Sequence, residues 1–321
     1  MSFSSEVKEE LSRHISPARH CQIAEIAAII SMCGGVSISS DDKYSLKIHT
    51  ENISVARKYF TLLKKTFNID TEVSIRQNIR LRKKPVYSVF VKSHEDTVRI
   101  LKATKLLDSG MEIQENFSLT DNLVIQRSCC RRAFLRGAFL AAGSISDPKK
   151  SYHFEIVCTS EEKARQLISM IDSFDMDAKM VLRKKYFVVY LKEGAQIVDI
   201  LNVMEAHSAL MDLENVRILK EMRNTVNRKV NCETANIHKT VSAAVKQIED
   251  IRYIQKTIGF ERLSEGLEEI ARLRLEQPEA TLKELGMMLA SPVGKSGVNH
   301  RLRKLSMLAD ELRESKEEHY D

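Results

Sequence analysis

The sequence predicts an α+β fold: a duplicated αββαββα domain followed by an all-α domain that ends in a helix-turn-helix. Three observations carry this reading. The first two thirds of the chain repeat themselves in order, and strand-like runs stop after about residue 203. The helical remainder then holds a capped helix, a tight break and a second, basic helix.

The length of 321 residues suits two or three domains, and 43% apolar with 29% charged residues leaves material for real cores. Tryptophan is absent and aromatics are 6%, so aliphatic side chains must build those cores. A net charge of +6 permits a nucleic-acid partner, and its placement matters more than its sum. The six cysteines are Cys21, Cys33, Cys129, Cys130, Cys158 and Cys232. None forms a CxxC, and no Cys/His set has zinc-ligand spacing, so no metal or cofactor is expected and the thiols read as reduced. The first residues, MSFSSEVKEELSRH, are polar and amphipathic, without a signal-peptide core or a membrane span. A cytoplasmic, nucleoid-associated location with no membrane partner is expected.

The repeat places Gly34 with Gly143, Ala56-Arg57 with Ala164-Arg165, and Val98-Arg99-Ile100-Leu101 with Val198-Asp199-Ile200-Leu201. Each copy reads as helix, two strands, helix, two strands, helix, over about 20–107 and 128–204. Short alternating runs such as Leu46-Ile48-Thr50, Val73-Ile75 and Val89-Val91 mark strands. Thr50 or Asn52, and Thr159 or Ser160, are N-caps for the middle helices. In the first helices small residues recur every four positions: Ala133, Gly137 and Ala141 in one copy, Ala24 with Ala28 and Ala27 with Ser31 in the other. Such a stripe lets two backbones approach closely, so these helices are expected to meet on a pseudo-twofold axis. An Ala-rich helix packed ordinarily on its own sheet is the alternative. Gly137 costs a helix interior about 1 kcal/mol against alanine, which points to a packing reason.

Beyond the repeat, Glu214 to Lys229 is a charged helical stretch leading to the tail. Ala235 to Thr257 and Phe260 to Gln277 form two more helices, with Gly259 at the break and Pro278 after the second. Thr281-Leu282-Lys283-Glu284 is a capping box, and Leu282, Leu285 and Leu289 share one face. Ser291-Pro292-Val293-Gly294 breaks that helix, and Ser296 is the expected cap of the next. At about 100° per residue, Leu302 and Leu305 stay within about 40° of Val298. Ser296, Asn299, His300 and Arg303 then point away from the core, and these residue types can pair with base edges. Lys295, Arg301 and Lys304 flank them and suit phosphates. From Thr281 to Leu305 there are five Lys or Arg against one Glu. The competing reading is a solvated basic face. The expected domains are 1–212, a helical linker 213–232, a helix-turn-helix domain 233–313 and an acidic tail 314–321.

The stretch Leu135-Arg136-Gly137-Ala138-Phe139-Leu140-Ala141-Ala142-Gly143 resembles the LAGLIDADG motif, and the helix ending Ser31-Met32-Cys33-Gly34 resembles it more weakly. The resemblance implies two αββαββα halves whose motif helices meet, each delivering an acidic residue to a catalytic metal ion. Cys33 and Ala142 stand where those acids belong, next to Gly34 and Gly143, and neither a lone thiol nor a methyl group holds magnesium. The following acids, Asp41, Asp42 and Asp147, fall in loops. Across nearly the whole chain the sequence resembles the WhiA family, most clearly at Asn231-Cys232-Glu233-Thr234-Ala235-Asn236 and from Lys295 to Leu305. That resemblance implies a non-enzymatic, double-stranded-DNA-binding transcriptional regulator tied to cell division, chromosome segregation and sporulation, with other transcription or division proteins as partners. A metal-dependent homing endonuclease and a nucleoid-associated protein-interaction module are the alternatives.

Secondary candidates are two basic loops, Arg76, Arg80, Arg82, Lys83 and Lys84, and Arg183, Lys184 and Lys185, which read equally well as phosphate contacts or solvated hairpin tips. Arg127, Arg131 and Arg132 read as a basic linker or as salt-bridge partners. His14, His20, His49, His94 and His207 have no paired spacing and read as surface or packing residues. Asn231 and Asn236 read first as caps with buried hydrogen bonds at the domain junction, with DNA backbone contact as the second reading.

Overall fold

Both copies of the repeat fold in the expected order. The computed structural model describes residues 2–41, 43–76, 85–108, 110, 112–113 and 122–317. A helix α1 (Phe3–Arg13) comes first, capped by Ser2 and burying Val7 and Leu11. The first copy is α2 (Arg19–Cys33), β1 (Gly34–Ile38), β2 (Tyr44–Thr50), α3 (Ile53–Phe67), β3 (Glu72–Arg76), β4 (Val86–Val91) and α4 (His94–Ala103). The second is α5 (Ser128–Ala142), β5 (Gly143–Ile145), β6 (Phe154–Cys158), α6 (Glu161–Asp172), β7 (Lys179–Arg183), β8 (Tyr186–Leu191) and α7 (Gly194–Met204). Each copy closes an antiparallel four-stranded sheet with the same strand order, β1-β2-β4-β3 and β5-β6-β8-β7. Asn52 and Ser160 cap α3 and α6 through their side chains, and Thr50 and Thr159 lie outside the caps.

The helices α2 and α5 pack on each other at the centre. Nearly every residue of α2 from Cys21 to Ser31 is buried, as expected of a helix that is apolar on all sides. Gly137 explains the close approach: a Cβ there would lie 2.6 Å from the Glu25 carbonyl oxygen and 3.0 Å from the Ala28 Cβ. A buried ion network crosses the same contact. The Glu25 carboxylate lies 3.0 Å from Lys58 Nζ and 3.3 Å from Arg136 Nε, all three side chains being out of water. Arg136 also donates to the Met204 carbonyl at 3.2 Å and to Glu205, which in turn meets His14 at 3.2 Å. Two cations facing two carboxylates keep that core neutral.

After Met204 the chain is helical: α8 (His207–Thr257), a 3-10 turn (Phe260–Arg262), α9 (Glu265–Glu276), α10 (Leu282–Met288) and α11 (Lys295–Glu317). Three expectations are corrected. The charged stretch, the Asn231–Asn236 motif and the helix after it are one 51-residue helix, because no glycine or proline interrupts the hydrogen-bond ladder. Residues 231–236 are exposed within it, so Asn231 and Asn236 are neither caps nor buried. Likewise Phe260 to Gln277 is split, since Ser264 starts α9 after a separate turn. Contacts divide the chain into Met1–Glu221 and Met222–Asp321. The second unit has its own core, with Ile251 and Ile254 of α8 against Phe260, Ile270, Leu285, Val298, Leu302 and Leu305.

Candidate nucleic-acid interface

The helix α10 begins with the capping box that the sequence spells: Thr281 accepts from Glu284 N, and the Glu284 carboxylate accepts from Thr281 N at 2.7 Å. The hydrogen bonds at this cap hold the Glu284 carboxyl below the usual carboxylate range. The turn that follows folds back tightly, and Val293 N donates to the Gly286 carbonyl at 3.0 Å. A Cβ on Gly286 would sit 2.2 Å from the Val293 carbonyl oxygen, so only glycine allows the α10–α11 approach. The Glu269 carboxylate accepts from Ala290 N at 2.5 Å and ties α9 to that turn.

Across the turn, α11 buries Val298, Leu302, Leu305 and Ala309 and leaves Ser296, Asn299, His300, Arg303, Lys304 and Lys295 exposed. Two details differ from the sequence reading. Gly294, whose carbonyl accepts from Gly297 N and Val298 N, stands at the helix start, so Ser296 is in the first turn and is not the cap. Arg301 is half-buried with its guanidinium 3.5 Å from where a Gly266 Cβ would stand, so it lies along α9. The outward face is also not uniform. Asn299 and Arg303 border a shallow groove with Ala243, Lys246 and Gln247 of α8, while Ser296, His300 and Lys304 stand clear of it. Met307, 58% exposed and one heptad after His300, extends the outward line; a continued helical count past Leu305 would have found it. The second half of α11 is an anchor: Arg313 pairs with buried Asp250 at 2.7 Å and lies over the Tyr253 ring. The helix therefore takes in residues 314–317 of the expected acidic tail, and 318–321 lie outside the described residues.

At the other end of the chain, Cys33 and Ala142 are the last residues of α2 and α5, with Gly34 and Gly143 following, as the motif reading placed them. No carboxylate stands at either position. The Cys33 thiol instead donates to the Ile29 carbonyl, and burial pushes it up to about 12. Lys8 lies over the Phe139 ring and acts electrostatically on that thiol, with burial lowering its own ammonium to about 8. On the second sheet the Glu155 carboxylate is held by Ser144 at 3.0 Å and His153 at 3.0 Å. Burial opposes ionisation there, and those hydrogen bonds outweigh it and keep the carboxyl below its usual range. Asp147 accepts from Lys149 N in a turn, and Asp42 is outside the described residues.

Among the basic loops, Arg76 closes β3, and Lys184 and Lys185 form the two-residue turn of the β7–β8 hairpin. Arg183 leans on Glu155 at 3.4 Å. Arg80, Arg82, Lys83 and Lys84 lie outside the described residues. Arg131 and Arg132 both place their guanidinium groups over the Phe174 ring, and Arg132 also helps hold the Glu205 carboxyl below its usual range. The reading of His20 and the cysteines as unclustered is corrected. His20, Cys21, Cys129 and Cys130 bring their ligand atoms within 4.8 Å of one another. Spacing along the chain could not show this, because the two pairs come from different copies of the repeat. Among the described residues no helix is long and apolar enough to cross a membrane.

Comparison with known proteins gives matches along the whole chain. Residues 19–107 match the WhiA N-terminal LAGLIDADG-like domain, 131–223 the WhiA LAGLIDADG-like domain and 226–309 the WhiA C-terminal HTH domain. A protein of Lachnoclostridium phytofermentans called probable cell division protein WhiA is 59% identical over 98% of this chain and 100% of its own. One of the same name from Alkaliphilus oremlandii is 52% identical over 98% and 99%. The crystal structure of full-length WhiA from Thermatoga maritima superposes with a TM-score of 0.59 at 23% identity, covering 97% of this chain and 99% of that one.

Proposed function

The chain belongs to the WhiA family, and from that premise we propose that it is a sequence-specific DNA-binding regulator of transcription, acting in cell division, that binds DNA without cutting it. Chromosome segregation and sporulation are the neighbouring processes this reading extends to. The observation that carries it is the two-sidedness of α11: an apolar face locked behind the Gly286 turn and a polar, cationic face left to solvent. A helix held rigidly at its back can enter the major groove with its first turns. His300 and Arg303 are assigned to base edges with Ser296, and Asn299 reads the flank nearest α8. Lys295 and Lys304 take phosphates, and Arg301 reaches one only by leaving α9.

The non-cutting half rests on the ends of α2 and α5. Phosphodiester hydrolysis by two metal ions needs carboxylates to hold them. Here a protonated thiol, a methyl group and the Lys8 ammonium occupy the region, and a cation beside the site repels a second one. The repeat domain then serves as a scaffold or docking surface, its partners being other transcription or division proteins.

The deciding experiment is a genome-wide occupancy map of the full chain paired with footprints at enriched sites. Discrete peaks sharing a short motif are expected. Uniform occupancy with salt-sensitive but sequence-blind binding would replace this reading with that of a general DNA-coating protein.

A further inference from the structure

We propose that His20, Cys21, Cys129 and Cys130 form a binding site for one zinc(II) ion that joins the first turns of α2 and α5. The four residues are the second and third positions of two 15-residue helices. His20 aligns with Cys129 and Cys21 with Cys130 at the same offset that relates Gly34 to Gly143. The pseudo-twofold axis therefore brings two pairs of ligands, 109 positions apart, to one point.

The geometry is close to that of a bound ion. All four ligand atoms lie within 4.8 Å of one another, His20 Nδ1 being 3.2 Å from Cys130 Sγ and 3.3 Å from Cys21 Sγ. Tetrahedral zinc, with Zn–S about 2.3 Å and Zn–N about 2.0 Å, sets ligands roughly 3.5–3.8 Å apart. Side-chain rotations are enough to make up the difference. None of the thiols is in a disulfide. Three sulfurs and an imidazole select a thiophilic, borderline-soft ion over magnesium or calcium.

Electrostatics favours the loaded site. Zinc(II) with three thiolates and a neutral histidine carries one net negative charge. Two helix N-termini point at it, and neither α2 nor α5 has a side-chain cap, so their first N–H groups and dipoles face that charge. Cys21 and Cys130 are buried and give the ion a dry wall, while His20 and Cys129 are exposed and give it an entry path. The site lies nearly a helix length, about 18–20 Å, from Cys33 and Ala142. It is thus a clamp on the repeat domain, separate from the region where a nuclease would hold its metal.

The test uses the untagged full chain, purified under reducing conditions, stripped with a chelator, given zinc chloride and desalted. Elemental analysis is expected to return one zinc per chain. Cobalt(II) in its place is expected to give visible bands of a tetrahedral ion and a thiolate charge-transfer band. Cys129→Ser and His20→Asn alter exposed side chains, so the fold is retained; each is expected to weaken zinc binding roughly tenfold or more. Zinc raises the Tm of the unaltered chain and leaves that of Cys21→Ser/Cys130→Ser unchanged. Cys232→Ser, outside the cluster, keeps full stoichiometry. A folded, reduced chain that retains no zinc overturns the proposal. So does undiminished binding by the double variant, or recovery of a Cys21–Cys130 disulfide in place of metal.

Discussion

Arg303 and His300 owe their exposure to what lies behind them: Val298, Leu302 and Leu305 are fully packed, so α11 cannot roll to hide them. Replacing Arg303 with alanine is expected to relax preference at one base position, by about 1–3 kcal/mol, in competition gel shifts. Lys304→Ala should weaken all sequences alike. An Arg303→Ala protein with an unchanged base preference would move the reader elsewhere. Gly286 is a second single-residue device. Gly286→Ala drives a methyl into the Val293 carbonyl and is expected to lower stability by about 1–3 kcal/mol in denaturant melts. Lys8 supplies a pH dependence. Its folded-state value near 8 lies below the ordinary 10.5, so between those values the unfolded chain holds the extra proton and stability rises with pH. Lys8→Met should therefore be more stable than the parent at pH 7, and the gap should close as pH is raised toward 10; a gap that stays constant would show that packing alone is at work.

At the scale of elements, the α2–α5 contact combines close backbone approach with a buried ion network. Charges out of water are tolerated only while paired. Glu25→Gln leaves Lys58 and Arg136 facing each other and is expected to cost about 3–5 kcal/mol, read as a lower urea midpoint. The stripe of small residues was legible in the sequence because a helix repeats every 3.6 residues and the stripe needs only one helix to be seen. The ion network was not: Glu25 and Arg136 come from different copies and share no local pattern. The long α8 shows the converse. The Asn-rich motif reads locally as a cap, since asparagine competes with the helix for hydrogen bonds. The uninterrupted ladder on both sides outweighs that preference.

For the whole molecule, binding through Lys295, Lys304 and other exposed cations predicts that log affinity falls linearly with log salt, with a slope of about 0.9 per phosphate neutralised. Supercoiled plasmid incubated with the chain and magnesium or manganese is expected to remain intact; nicking that a chelator abolishes would restore a catalytic reading. The sequence by itself determined the duplicated αββαββα units, the capped helix before a glycine turn, and the placing of Cys33 and Ala142 just before Gly34 and Gly143. Those features are local or repeated, and periodicity, caps and residue identity report them directly. Only the tertiary structure decided that Arg301 lies along α9, that Lys8 lies over the Phe139 ring, that Asn231 to Asn236 are exposed in mid-helix, and that two separate pairs, His20-Cys21 and Cys129-Cys130, converge. Each depends on which groups meet across a packed interface, and no spacing along one chain records a distance set by the packing of two helices.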